Sequence, residues 1–112
     1  CDLINVAHAE GVQIEGSHFT GSRAADTDGI DLDSVTGAEI RNNYFGNFSG
    51  TNNDGIDMGF SSQILISGNR FEYISDKAVS VGLGSQVNMQ HNLITYCGSG
   101  AGIKDKGSFV LS

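Results

Sequence analysis

The octapeptide Asp26-Thr27-Asp28-Gly29-Ile30-Asp31-Leu32-Asp33 constrains the fold most, because its core returns. Asn53-Asp54-Gly55-Ile56-Asp57-Met58 repeats it 26 residues on. Lys77-Ala78-Val79-Ser80-Val81 and Ala101-Gly102-Ile103-Lys104-Asp105 keep the alternation with base in place of acid. Aligned on the apolar residue that follows, Ile4, Ile30, Ile56, Val79 and Ile103 are spaced by 26, 26, 23 and 24. A fixed period of this length marks a solenoid, in which each repeat buries its apolar face against the next.

Further columns keep the same register. Val12, Ala38, Ile64, Val87 and Leu111 form one, and Ile14, Ile40, Ile66 and Met89 form another. Phe19, Phe45, Phe71 and Ile94 form a third, which predicts a ring stack in the core. Within a repeat the apolar residues alternate with Asp31, Asp33, Glu39 and Arg41, a period of two that specifies strands with one buried face. Three short strands per repeat, stacked parallel about 4.8 Å apart, make a triangular coil. The expected fold is all-β: a right-handed parallel β-helix over residues 1–112, a single domain of about four coils of 23–26 residues with no visible caps. Asn43, Asn69 and Asn92 recur at the corner between the second and third strands, where their amides can bond along the axis.

Composition narrows the partners. A formal charge of −7 leaves no basic patch to neutralise phosphates, so no nucleic-acid partner is expected. No run of 18 apolar residues predicts a membrane span. Cys1 and Cys97 do not make a disulfide framework, and Cys97 reads as a small core residue. His8, His18 and His91 share no column and read as surface or turn residues. The chain opens on Cys1 inside the repeat pattern, so we expect a piece of a longer solenoid or an uncapped one. Unpaired coil ends would favour a homo-oligomer that stacks end to end.

The outward positions form a strip. Asp2, Asp28, Asp54 and Lys77 occupy one column; Asn5, Asp31, Asp57, Ser80 and Lys104 a second; Ala7, Asp33, Gly59, Gly82 and Lys106 a third. Asp28, Asp31, Asp54 and Asp57 are close enough to require a cation or a raised pKa. Ca²⁺, which takes six to eight oxygen ligands, is the expected cofactor. The competing reading assigns these aspartates to turns and solvation.

The chain resembles the right-handed β-helix repeats of the pectin lyase-like superfamily. Asp26-Thr27-Asp28-Gly29-Ile30-Asp31 is similar to the Asn-Thr-Asp-Gly-Ile-Asp strand of the family 28 glycoside hydrolases, the polygalacturonases. Asn53-Asp54 falls on their Asp-Asp pair, Asp76 to Gly82 on their Gly-His-Gly-Leu-Ser-Ile-Gly rung, and Lys104-Asp105-Lys106 on their Arg-Ile-Lys. This likeness implies a site with Asp28, Asp54 and Lys77 as catalytic residues and Asp31, Asp57, Lys104 and Lys106 as substrate-binding residues. Asn53 replaces the general acid, so the water-activating half of an inverting site would stand alone. The segments Asp76 to Gly82 and Gly102 to Asp105 also resemble bacterial β-helix repeat regions of large secreted or surface proteins.

Two functions follow as expectations. The first is a carbohydrate-associated module, extracellular or on the cell surface, binding or acting on an acidic, uronate-type polysaccharide. As a hydrolase it would use the aspartates. As a lyase it would use a lysine as base beside a Ca²⁺-polarised carboxylate. The second is a non-catalytic structural or interaction β-helix.

Overall fold

The computed structural model describes residues 2–21, 23–82, 84–103 and 108–111. Every regular element among them is a strand. The first rung holds β1 (Ile4–Ala7), β2 (Glu10–Glu15) and β3 (His18–Thr20); the second, β4 (Ile30–Asp33), β5 (Thr36–Arg41) and β6 (Tyr44–Phe48). The third holds β7 (Ile56–Gly59), β8 (Ser62–Ser67) and the start of β9 (Arg70–Gly82), which runs through the turn into the fourth. There follow β10 (Gln86–Gln90), β11 (Leu93–Ile103) and β12 (Ser108–Leu111). All strand pairs are parallel, and the second strands stack in the order β2, β5, β8, β10, β12.

The registers match the expected columns through four rungs. Ile4, Ile30, Ile56 and Val79 are neighbours in turn, as are Ile14, Ile40, Ile66 and Met89. Phe19, Phe45 and Phe71 stack with centroids 4.8 Å apart and planes within 12° and 7° of parallel. Ile94 continues the stack beside Phe71. Each buried ring contributes about 1.5–3 kcal/mol of apolar transfer energy. The stack also explains the Asp-Gly dipeptide. A Cβ on Gly29 would lie 2.9 Å from the Phe45 ring and 2.6 Å from the Gly55 carbonyl oxygen, so the glycine serves close approach. Where the ring column ends at Ile94, the glycine column ends too, at buried Ala78.

The last rung departs from the sequence alignment. Ala101, not Ile103, pairs with Val79, and Ile103 pairs with Val81. Phe109 likewise takes the place beside Val87, with Leu111 beside Met89. At an irregularity between Cys97 and Ser99 the offset between β11 and β9 drops from 23, with Cys97 beside Ile74, to 22, with Ser99 beside Lys77, which is two residues short of the 24 read from the sequence. A shift of two preserves which face each residue occupies, so alternation cannot reveal it. Gly102 therefore fills the position beside Ser80 expected for Lys104. Lys104 and Lys106 themselves lie outside the described residues, as does Cys1.

The corners carry a second regularity. Left-handed residues stack: His8, Ser34, Phe60 and Gly84; Gly11, Gly37 and Gln63; Gly16, Asn42, Gly68 and His91; Asn47, Tyr73 and Tyr96; Asp26 and Asn52. Beside the third column runs the asparagine ladder. Asn43 N–H and Nδ2 both donate to Asn69 Oδ1, at 2.9 and 3.0 Å, and Asn69 does the same to Asn92. Each Nδ2 also donates to a carbonyl of the preceding rung: Ile14, Ile40 and Ile66. Serines do similar work before the second strands, where Val35 N–H donates to Ser61 Oγ and Ser61 N–H to Ser85 Oγ. His8, His18 and His91 are exposed, and His18 meets Tyr44 edge-on. Cys97 is a free thiol packed against the core.

Candidate functional site

The acidic strip begins at the corner that precedes the first strand of each rung. There a carboxylate oxygen accepts the backbone N–H of the next rung. Asp28 N–H donates to Asp2 Oδ1, Asp54 N–H to Asp28 Oδ1 and Lys77 N–H to Asp54 Oδ1, at 2.8–2.9 Å. Asn53 completes the corner: its Oδ1 accepts Thr27 N–H at 2.8 Å and its Nδ2 donates to Ala24 O at 3.0 Å. Asn53 is fully buried. Its amide is committed to the backbone through both its oxygen and its nitrogen.

Asp31 and Asp57 pair in register on β4 and β7 and point outward from the core. One carboxylate oxygen each from Asp28, Asp54 and Asp57 lies within 4.8 Å of the other two. Oxygens sharing a Ca²⁺ at 2.3–2.6 Å can lie up to about 5 Å apart, so this trio fits a hard divalent cation. Asp31 stands beside it. With its amide nitrogen turned toward the strip, Asn5 donates to Asp31 Oδ2 at 3.2 Å and to Asp2 Oδ2 at 3.0 Å.

The electrostatics follow from burial. Burial pushes the Asp28 carboxyl up to about 7, with Asp54, Asp57 and Asp2 adding to the rise and the Asp54 N–H opposing it. Asp54 rises to about 6, again mainly through burial, against the N–H and charge of Lys77. Asp31 rises to about 6 through burial and the charges of Asp2, Asp57 and Asp33. Lys77 moves the other way in function: its bond to Asp76, 3.0 Å from Nζ to Oδ2, raises its pKa, so the amine holds its proton. That suits a fixed cation and not a base. Gly102 gives Lys77 room, since a Cβ there would lie 2.6 Å from Lys77 Cδ. Ser80, buried next to Asp57 in register, has an Oγ without a hydrogen-bond partner among the described residues.

Beside the trio runs a groove of about 310 Å³ lined by Asp31, Asp33, Asp57, Met58, Phe60 and Gly82. Phe60 is 64% exposed at a left-handed corner. Sequence reasoning passed over it. Its signal was an aromatic two residues after the inward Met58, where the other rungs carry His8 and Ser34. Of the expected site residues, the fold brings Asp28, Asp54 and Asp57 together, sets Asp31 next to them and ties Lys77 at the edge.

The chain matches the family model described as right handed beta helix region over residues 2–112. It belongs to that family. No curated protein and no solved structure gives a match. Among the described residues, no helix is long and apolar enough to cross a membrane.

Proposed function

We propose that the protein is a carbohydrate-associated β-helix module that binds an acidic polysaccharide along the β4–β7–β9 face. The observation that supports this best is the convergence of Asp28, Asp54 and Asp57 beside a groove with an exposed aromatic, Phe60. A Ca²⁺ held by the trio would bridge the acidic protein to a uronate carboxylate. Phe60 offers a flat apolar face to a sugar ring, whose C–H groups suit the negative π surface. Lys77 supplies positive charge for the same carboxylates. A glycan ligand of this kind places the module outside the cell or on its surface.

Binding without cleavage is the form of this reading that the side chains favour. Asn53 cannot donate a proton to a leaving oxygen, and protonated Lys77 cannot abstract one. The competing reading is a purely structural rod. It draws on Asp28 and Asp54 each spending an oxygen on a backbone N–H. A panel of polyuronates, incubated with and without Ca²⁺, separates the readings. Retention on the polymer that depends on Ca²⁺, with no new reducing ends and no unsaturated-product absorbance, is expected. Reducing ends would mean hydrolysis, Ca²⁺-dependent absorbance would mean elimination, and no retention with no product would leave the rod.

A further inference from the structure

Away from the acidic strip, two tyrosines stand out of the third-strand column. Tyr73 and Tyr96 lie two residues beyond Phe71 and Ile94 of the core stack and in register with each other, and a left-handed backbone turns both to the outside. Their rings are 5.0 Å apart and within 1° of parallel. They are 52% and 76% exposed. Both take left-handed backbone, with φ of 57° and 54°. Large side chains rarely occupy that region, and such outliers cluster at functional positions. The rung before places Asn47 there, a residue that tolerates the conformation at little cost. Two successive rungs thus combine backbone strain with exposed aromatic surface, where asparagine would avoid both.

A cleft of about 430 Å³ opens at the foot of this ledge, lined by Gly21, Arg23, Asn47, Ser49 and Tyr73. Arg23 makes no ion pair among the described residues, in a chain with 13 acidic side chains and only six Lys and Arg. Its guanidinium can take a carboxylate through two parallel hydrogen bonds. Asn47 and Ser49 offer an amide and a hydroxyl to ring hydroxyls. A flat aromatic face, a cation and neutral polar groups around one opening match an anionic sugar ring.

We propose that the Tyr73–Tyr96 ledge and the Arg23 cleft form a second glycan subsite, specific for a uronate and independent of any cation. The proposal rests on the reading of the protein as a binder of acidic polysaccharide. It differs in needing no metal, because Arg23 meets the carboxylate directly. Since β9 carries both Tyr73 and Lys77, one chain of sugars can pass from the ledge to the strip.

Calorimetric titration of trigalacturonate into the intact protein in EDTA tests the ledge alone. Saturable binding is expected. Arg23→Gln should weaken it by about tenfold, the loss of one charge-assisted pair. The double variant Tyr73→Asn with Tyr96→Asn should weaken it at least as much, with Tm unchanged or raised because asparagine suits the backbone. A neutral cellotriose should bind at least about tenfold more weakly. The ledge is refuted by absent binding in EDTA, by parent-like affinity in both variants, by equal affinity for the neutral sugar, or by a double variant that only loses Tm. The Asp57→Asn variant, titrated with Ca²⁺ present, keeps the two sites apart. A Ca²⁺-dependent component that ignores this change overturns the acidic-strip reading and leaves the ledge standing.

Discussion

A methyl group on Gly55 would stand 2.6 Å from the Ala78 carbonyl oxygen and 2.8 Å from the Phe71 ring. The Asp-Gly dipeptide reads as a turn signal, yet the reason for the glycine is the ring beneath it. Gly55→Ala should therefore cost about 1–3 kcal/mol in urea unfolding, the range for overpacking a core. A change below about 0.5 kcal/mol would mean that the stack gives way freely. Asn69→Ala should cost about 2 kcal/mol or more. It strips a partner from the buried Asn43 N–H and another from the Ile40 carbonyl. Its urea slope should stay that of the parent, as the same surface unfolds. The recurrence of Asn43, Asn69 and Asn92 made this ladder legible in the sequence. The equivalent use of Asn53, Ser61 and Ser85 was not, because none of them recurs in enough rungs to form a column by eye.

At the scale of the element, the β4–β7–β9 strip stores a proton-linked stability. Asp28, Asp31 and Asp54 bind protons more tightly in the folded protein than their ordinary carboxylate range allows, with values of about 7, 6 and 6. Their contribution to stability is complete below pH 4, and it is lost as pH rises through 6 to 7. In EDTA the Tm should fall between pH 5 and pH 8, and Ca²⁺ should restore it at pH 8. A Tm that climbs over that interval without metal would contradict the burial argument. Asp54→Asn keeps an oxygen for the Lys77 N–H, as Asn53 does for Thr27, while removing a charge. It should raise the Tm at pH 8 in EDTA and flatten the pH profile.

The strip also shows what alternation can and cannot convey. Asp31 and Asp57 fell into register because the spacing of 26 holds on both sides of them. That Asp28 and Asp54 turn one oxygen to the corner amides depends on backbone direction, which a period of two does not encode. The fifth rung lies two residues from its place in the alignment, at a spacing of 22 and not 24, and a difference of two leaves the inward and outward faces unchanged. Tyr73 and Tyr96 had a readable signal, their fixed offset from the Phe stack. Their outward turn comes from a left-handed backbone that Asn47 advertises and the tyrosines conceal.

At the scale of the whole molecule, the rungs share one continuous core, and polar ladders bind each corner to the next. A solenoid of this kind holds outward side chains at fixed spacing, which suits a ligand that is itself a repeating chain. In the proposed function Asp28, Asp54 and Asp57 hold a cation through which an acidic glycan binds. The most direct measurement is calorimetric titration at pH 7.5 of Ca²⁺, and then of trigalacturonate, into the parent and into Asp54→Asn/Asp57→Asn. The parent is expected to bind Ca²⁺ and to gain affinity for the sugar from it. The double variant should lose both by about tenfold or more, with an unchanged circular dichroism spectrum. Equal Ca²⁺ binding by the two proteins, or a parent that binds no Ca²⁺, would contradict it.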